Sequence, residues 1–232
     1  MTCMHCLQRN GVPSEVIRLP FQEINFYHFK CENGHDAYAV LQNHKFEILA
    51  EVGVNAILDG YYREAVTSFS ASLERFYEHY FKVVSFSESG NFEQVEKAWK
   101  SVSAQSERQL GMYLAAHFLK TGKIGPTLSR EKAKFRNDVV HKGIIPSREE
   151  AIDFAQSVID IVNPLLWDLR ENFKAGYMHL YRDNIIKGRE NCEEYDLIAT
   201  SALQMVYNTL LENNSNVAMC DILKAAEARR KR

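Results

Sequence analysis

The chain lacks most of the features that announce a chemistry at once. No run approaches the roughly 18 consecutive apolar residues of a membrane span, and the opening Met1-Thr2-Cys3-Met4-His5-Cys6 has neither the basic region nor the apolar core of a signal peptide. A cytoplasmic location without a membrane partner is therefore expected. A formal net charge of −2 supplies no global pull toward nucleic acid. Any RNA contact must then rest on local cations such as Lys132, Lys134, Arg136 and Lys142. There is no phosphate-cradling glycine loop, no Gly-x-Ser-x-Gly elbow, and no metal-ligand cluster beyond the one described next. Nucleotide hydrolysis on a phosphate loop, serine hydrolase chemistry and metal catalysis consequently have no residues to rest on.

Cysteine is sparse, with five in 232 residues, but unevenly placed. Cys3-x2-Cys6 is followed, after 24 residues, by Cys31-Glu32-Asn33-Gly34-His35. Two short loops with these donors wrap a tetrahedral ion, Gly34 giving the backbone freedom that a tight knuckle needs. Two disulfides are the competing reading, which His35 in the fourth place and a reducing compartment oppose. His5 is an alternative to His35, though it sits inside the first pair. Cys192 and Cys220 stand alone on expected helices and read as buried thiols. Glu15–Leu19, Ile24–Phe29 and Asp36–Val40 read as short strands around the ligand pairs. Residues 1–42 thus read as a zinc ribbon in which four protein ligands hold a structural Zn2+.

From residue 43 the pattern changes to helical periodicity. His44–Leu58 places Phe46, Leu49, Ala50, Val54, Ile57 and Leu58 on one face. Tyr61–Val84 repeats Ala65, Phe69, Leu73, Phe76, Tyr80 and Val83 at steps of three and four. Asn91 to about Lys120 forms a third helical region. Ser129 is a candidate N-cap for a short helix that ends at Lys142-Gly143. Pro146-Ser147 opens a long helix through Asn172, with Pro164 inside it as an expected kink. Beyond residue 174, helices are expected over Met178–Lys187, over Glu193–Leu211 and from Asn216 to a basic end, Arg229-Arg230-Lys231-Arg232. That end reads as a solvated helix terminus or as an RNA contact. The expected architecture is mainly α: a ribbon at 1–42, a helical bundle at 43–173 and a helical extension at 174–232.

Arg136-Asn137-Asp138-Val139-Val140-His141 lies on the short helix. RNA carries a 2′-hydroxyl beside each phosphate, so its cleavage needs only a group that moves a proton and a cation that stabilises the phosphorane. An imidazole exchanges protons near neutral pH and a guanidinium forks onto phosphate oxygens, so His141 and Arg136 fit these roles, with Asn137 to orient a phosphate or the imidazole. At about 100° per residue, Asn137 and His141 share a face whereas Arg136 and His141 stand about 140° apart. The arginine must reach round the helix or meet the histidine of a second subunit, which favours a dimer. Glu74 is positioned to orient His141 if the two helices pack together. Arg75 and His79 read either as a second half of the site or as an ordinary helix face.

Residues about 44–172 resemble the HEPN superfamily (higher eukaryotes and prokaryotes nucleotide-binding). The resemblance rests on a bundle of four to five helices and an Arg-polar-x3-His motif on a late helix, after a long amphipathic helix. It implies a metal-independent endoribonuclease with Arg136, Asn137 and His141 at its active site, no catalytic cofactor, and a homodimer that juxtaposes two motifs. It also implies tRNA or mRNA as substrate, a regulatory protein partner, and a role as a toxin or antiviral effector. The alternative is a non-catalytic HEPN-like module that binds nucleic acid, nucleotide or protein.

Overall fold

Apolar residues at steps of three and four become helices through most of the chain, and the computed structural model is accordingly mainly helical with one small sheet. It describes residues 1–12, 14–15, 17–190, 198–201 and 217–231. They form two compact units: Met1–His44 with His179–Leu203, and Lys45–Met178 with Gln204–Arg232.

The first unit opens with helix α1 (Met4–Asn10), which ends at Gly11. Strand β1 (Phe26–Lys30) pairs antiparallel with β2 (Asp36–Leu41), Phe26 opposite Val40 and Lys30 opposite Asp36. Tyr27, Phe29, Ala37 and Ala39 alternate inward while His28 and Lys30 face solvent, the period-two pattern that holds register. The other edge of β2 takes β3 (Ile198–Ser201) in parallel, Tyr38 opposite Ile198. A helix over Glu193–Leu211 is therefore corrected at 198–201. The β-branched Ile198 and Thr200 suit a strand, and pairing on an open sheet edge overrides local helical preference. The rest of that expected helix, like Cys192, lies outside the described residues. The expected strand at Glu15–Leu19 is also corrected, since its described residues are irregular. Ile17 exchanges main-chain bonds with Met1, at 2.8 and 2.6 Å, without entering a strand.

The second unit contains α2 (Lys45–Leu58), α3 (Tyr62–Ser89), α4 (Phe92–Val102), α5 (Ser106–Thr121), α6 (Arg130–Lys142) and α7 (Arg148–Asn172). Helix α3 is the hub: α2, α7, α5, α4 and α6 all pack on it. Its inward row Ala65, Phe69, Leu73, Phe76, Tyr80 and Val83 is buried, as are Ala151, Phe154, Val158, Val162 and Leu169 of α7. The Asn91–Lys120 region proves to be two helices. Asn91 caps α4 by accepting from Gln94 N at 3.2 Å, and Gln109 of α5 donates back to the Ser103 carbonyl at 2.7 Å, closing the break. Ser147 starts α7 with a complete capping box with Glu150. The helix runs unbroken past Pro164.

Helix α8 (Lys174–Arg189) follows α7, and within the first unit its Asn184 accepts from Asn25 at 2.9 Å and donates to the Gln42 carbonyl at 3.0 Å. Helix α9 (Met219–Arg230) packs on α2 and α7 through Met219, Ile222, Leu223 and Ala226. Residues 174–232 are thus divided between the two units rather than standing apart. Cys220 is exposed, a correction to its expected burial. The basic end is not simply solvated either: Arg229 meets Glu51 at 3.0 Å and Arg230 meets Asp59 at 2.5 Å. Burial pushes the Glu51 carboxyl up and Arg229 partly opposes this, while the Arg230 hydrogen bond holds Asp59 down. Among the described residues no helix is long and apolar enough to cross a membrane.

The closest approach of α2 to α3 depends on Gly53, where an added Cβ would stand 2.7 Å from the Phe69 ring. Gly111 on α5 has nothing within 4 Å of the same position. Gly53→Ala should therefore lower stability by about 1–3 kcal/mol through overpacking, whereas Gly111→Ala should raise it by about 0.4–1 kcal/mol through reduced unfolded-chain entropy. Urea unfolding of both variants checks the opposite signs; a common sign would contradict this packing.

Candidate functional site

Cys3, Cys6, Cys31 and His35 converge in the first unit, with one donor atom from each lying within 4.8 Å of all the others. The Cys6 and Cys31 sulfurs are 3.8 Å apart, and His35 Nδ1 lies 3.9, 3.4 and 3.6 Å from the sulfurs of Cys3, Cys6 and Cys31. A tetrahedral zinc with Zn–S of about 2.3 Å and Zn–N of about 2.0–2.1 Å requires donor separations of about 3.6–3.8 Å. The set fits such an ion, and the sulfurs are too far apart for a disulfide. Each loop is tied down by its own backbone. Ser14 Oγ accepts from Cys3 N at 2.8 Å, Cys31 N donates to the His35 carbonyl at 3.1 Å, and Gly34, at φ 78°, donates to the Cys31 carbonyl at 2.9 Å. Asn33 donates to the Cys6 sulfur at 3.3 Å, a bond that favours the thiolate a metal needs. His5 stands outside this set, its ring 5.7 Å from that of His35.

The second site grows from α6. Ser129 accepts from Lys132 N at 3.2 Å to start the helix, and Gly143, at φ 71°, ends it in a left-handed turn. Val139 is buried and Phe135 packs on Phe154 with ring centroids 5.9 Å apart, which sets the helix's rotation. Arg136 is thereby directed at α3. Its Nε donates to Ser70 Oγ at 2.7 Å, one terminal nitrogen bonds the Glu74 carboxylate, and the other donates to Asn137 Oδ1 at 3.0 Å. Asn137 and His141 are exposed on the same helix, Asn137 next to the Arg136 guanidinium. On another face Asp138 pairs with Lys142 at 2.7 Å, whose hydrogen bond holds the Asp138 carboxyl below the usual range.

The remaining candidates separate. Glu74 binds Arg136. Arg75 turns toward α5, bonding Glu78 and Gln109 at 2.6 Å each. His79 is buried among aromatic rings, 5.0 Å from Phe46 and 6.0 Å from Tyr177. Arg75 and His79 therefore stand apart from Arg136. Lys132 is engaged by Asp153.

Beside Arg136 opens a cleft of about 280 Å³ between α3, the start of α5, the 127–128 segment and α6. Sequence reasoning missed its walls, including Ser70 and Tyr77. The signal was a row at i, i+4 and i+7 on α3 in which Ser70 and Glu74 precede Tyr77 on one face. The 122–128 segment is pinned to α5: Tyr113 donates to the Pro126 carbonyl and His117 Nδ1 to that of Lys123, each at 3.0 Å. Burial, reinforced by the Glu74 charge, raises the Tyr77 phenol well above its ordinary value. The cleft floor is accordingly a poor place for an uncompensated anion.

Comparison of the chain with protein families, curated proteins and solved structures gives no match.

The donor geometry predicts that the protein retains about one Zn2+ per chain and that Cys31→Ser releases it. Elemental analysis after gel filtration checks both. A metal-free wild type that keeps the secondary structure and melting behaviour of the zinc-loaded protein would contradict the prediction.

Proposed function

We propose that the chain is a metal-independent endoribonuclease of the HEPN type, with Arg136, Asn137 and His141 as its catalytic residues. The observation that carries this reading lies within α6: Arg136 is held against α3 by Glu74 and Ser70 at the edge of a cleft, exposed Asn137 is bonded to it on the cleft rim, and exposed His141 stands one turn further along the same helix.

The chemistry follows from those groups. The 2′-oxygen attacks the adjacent phosphorus as the P–O5′ bond breaks. The proton leaving the 2′-hydroxyl is balanced by one delivered to the 5′-oxygen, and the products are a 2′,3′-cyclic phosphate and a 5′-hydroxyl. His141 moves a proton. The Arg136 guanidinium keeps N–H donors beyond its bonds to Ser70, Glu74 and Asn137, and these stabilise the phosphorane. Glu74 and Ser70 are positioning residues that hold the fork before substrate arrives. Because Arg136 and His141 point apart on one helix, the site is completed when the α6 helices of two chains face each other, which makes the enzyme a homodimer. The substrate is RNA of the tRNA or mRNA class, and the setting is that of a toxin or defence effector kept in check by a protein partner.

The Cys3, Cys6, Cys31 and His35 centre takes a structural Zn2+. Four protein donors fill the tetrahedron and leave no position for a substrate. The ion would hold together a segment with few apolar residues of its own.

A second reading is favoured by the bond that each of the three Arg136 nitrogens makes to a protein partner: a binding module that holds RNA without cutting it. Incubation with cellular RNA in excess EDTA separates the two. The enzyme reading predicts fragments with cyclic phosphate ends from wild type and a loss of about a hundredfold or more with His141→Ala. Equal cleavage by both proteins, or none by either, would contradict it.

A further inference from the structure

The cleft beside Arg136 has a composition that its role as an arginine socket does not require. Leu73 of α3, Leu110 of α5 and Leu128 of the connecting segment give it apolar walls. Glu107, in the first turn of α5, lines it and is exposed, with no ion-pair partner among the described residues. Glu74 is already committed to Arg136, so Glu107 is the carboxylate left to accept from a ligand. Across the cleft, Asn137 uses Oδ1 to accept from Arg136, which leaves its Nδ2 as a donor. The cleft thus offers apolar side chains, a carboxylate acceptor and an amide donor, next to a guanidinium suited to phosphate.

We propose that this cleft is a nucleobase pocket that selects guanine, with Glu107 accepting from the base and Arg136 taking the phosphate attached to the same nucleotide. The inference deepens the ribonuclease reading and rests on it for the orientation of the strand. The choice of base follows from hydrogen-bond chemistry. A carboxylate is an acceptor only, and guanine is the base whose pairing edge offers it two adjacent donors, N1–H and the N2 amino group, with O6 beside them for the Asn137 amide. Adenine and cytosine present one amino group next to a ring acceptor, and uracil presents one N–H between two carbonyls. Each of these would set a lone pair against the Glu107 oxygens. A base packed on the leucine side chains would have its ring faces partly shielded from water, and a mismatched edge would then be left unpaired at a cost.

Packing behind and beneath the cleft keeps its shape independent of the ligand. Gly125 lets the 122–128 segment lie directly on Tyr113, whose phenol an added Cβ would meet at 2.5 Å, and this seats Leu128 against the slot. Tyr77 is stacked on Tyr113 with centroids 4.3 Å apart. The floor is therefore a packed aromatic layer rather than a collapsible gap.

The test is calorimetric titration of the full-length protein with the 3′-monophosphates of guanosine, adenosine, cytidine and uridine, which carry no scissile bond. Guanosine 3′-monophosphate should bind about tenfold or more tightly than the others, as a good bidentate edge contact allows. Glu107→Gln, an exposed substitution on a helix surface, should bring the four nucleotides to within about threefold of one another. Arg136→Ala should weaken all four alike. Equal binding of the four nucleotides, a guanosine preference that survives Glu107→Gln, or no binding at millimolar concentration would overturn the proposal. A guanosine preference without RNA cleavage would uphold the pocket and remove the enzyme reading. Cleavage without base preference would do the reverse.

Discussion

The bonds from Arg136 to Glu74 and Ser70 decide what α6 offers to solvent. A helix that buries only Val139 completely has little apolar surface with which to fix its own rotation. The short Phe135 contact and the guanidinium clasp together do that work, and both point toward the bundle. Exposed Asn137 is then left at the cleft rim beside Arg136, and exposed His141 one turn further along the helix. The clasp is also partly screened from water, both side chains being less than a third exposed, so its charge-assisted hydrogen bonds are stronger than those of a surface pair. The site is consequently built by packing from one side and left open on the other.

That arrangement relies on α3 as a spine. Helices α2, α4, α5, α6 and α7 each pack on it, so residues at neighbouring positions along α3 serve different partners. Arg75 turns to Gln109 of α5, His79 enters the aromatic layer under Phe46, and Ser70 with Glu74 receives Arg136. The cleft is the gap left where α5 and α6 diverge from the same segment of α3, walled by the 122–128 connection. In the first unit the organising constraint is different. Around Cys3, Cys6 and Cys31 the buried cluster is small, Phe29, Ala37 and Ala39 with a few partly buried neighbours, so the two knuckles have little apolar surface of their own. The four donors converge where that surface is thin.

Local signals were legible where chemistry and spacing coincide. The Cys3-x2-Cys6 and Cys31-x3-His35 pairs, the Ser129 cap, the Gly143 stop and the inward rows of α3 and α7 could all be read directly, because each depends on neighbours within a turn or two. Long-range consequences could not. Nothing in Ile198–Ser201 shows that β2 has a free edge for it, nor does the basic run at the C-terminus show that Glu51 and Asp59 await it on α2. Glu74 was legible as a helix-facing acid, but its partner is Arg136 rather than His141, since the rotation of α6 is set by Val139 and Phe135. The cleft was hidden for the same reason: its residues come from four separate segments, and only their packing brings them together.

In the proposed enzyme Arg136, fixed against α3, and the exposed His141 act together across two copies of the chain. Mixing Arg136→Ala chains with His141→Ala chains after partial unfolding and refolding, then assaying RNA cleavage, tests it most directly. The account predicts that neither variant cuts RNA alone and that the mixture recovers a measurable share of wild-type cleavage, because each mixed pair contains one intact arginine and one intact histidine facing each other. A mixture as inactive as its components, alongside an active wild type, would contradict the shared site.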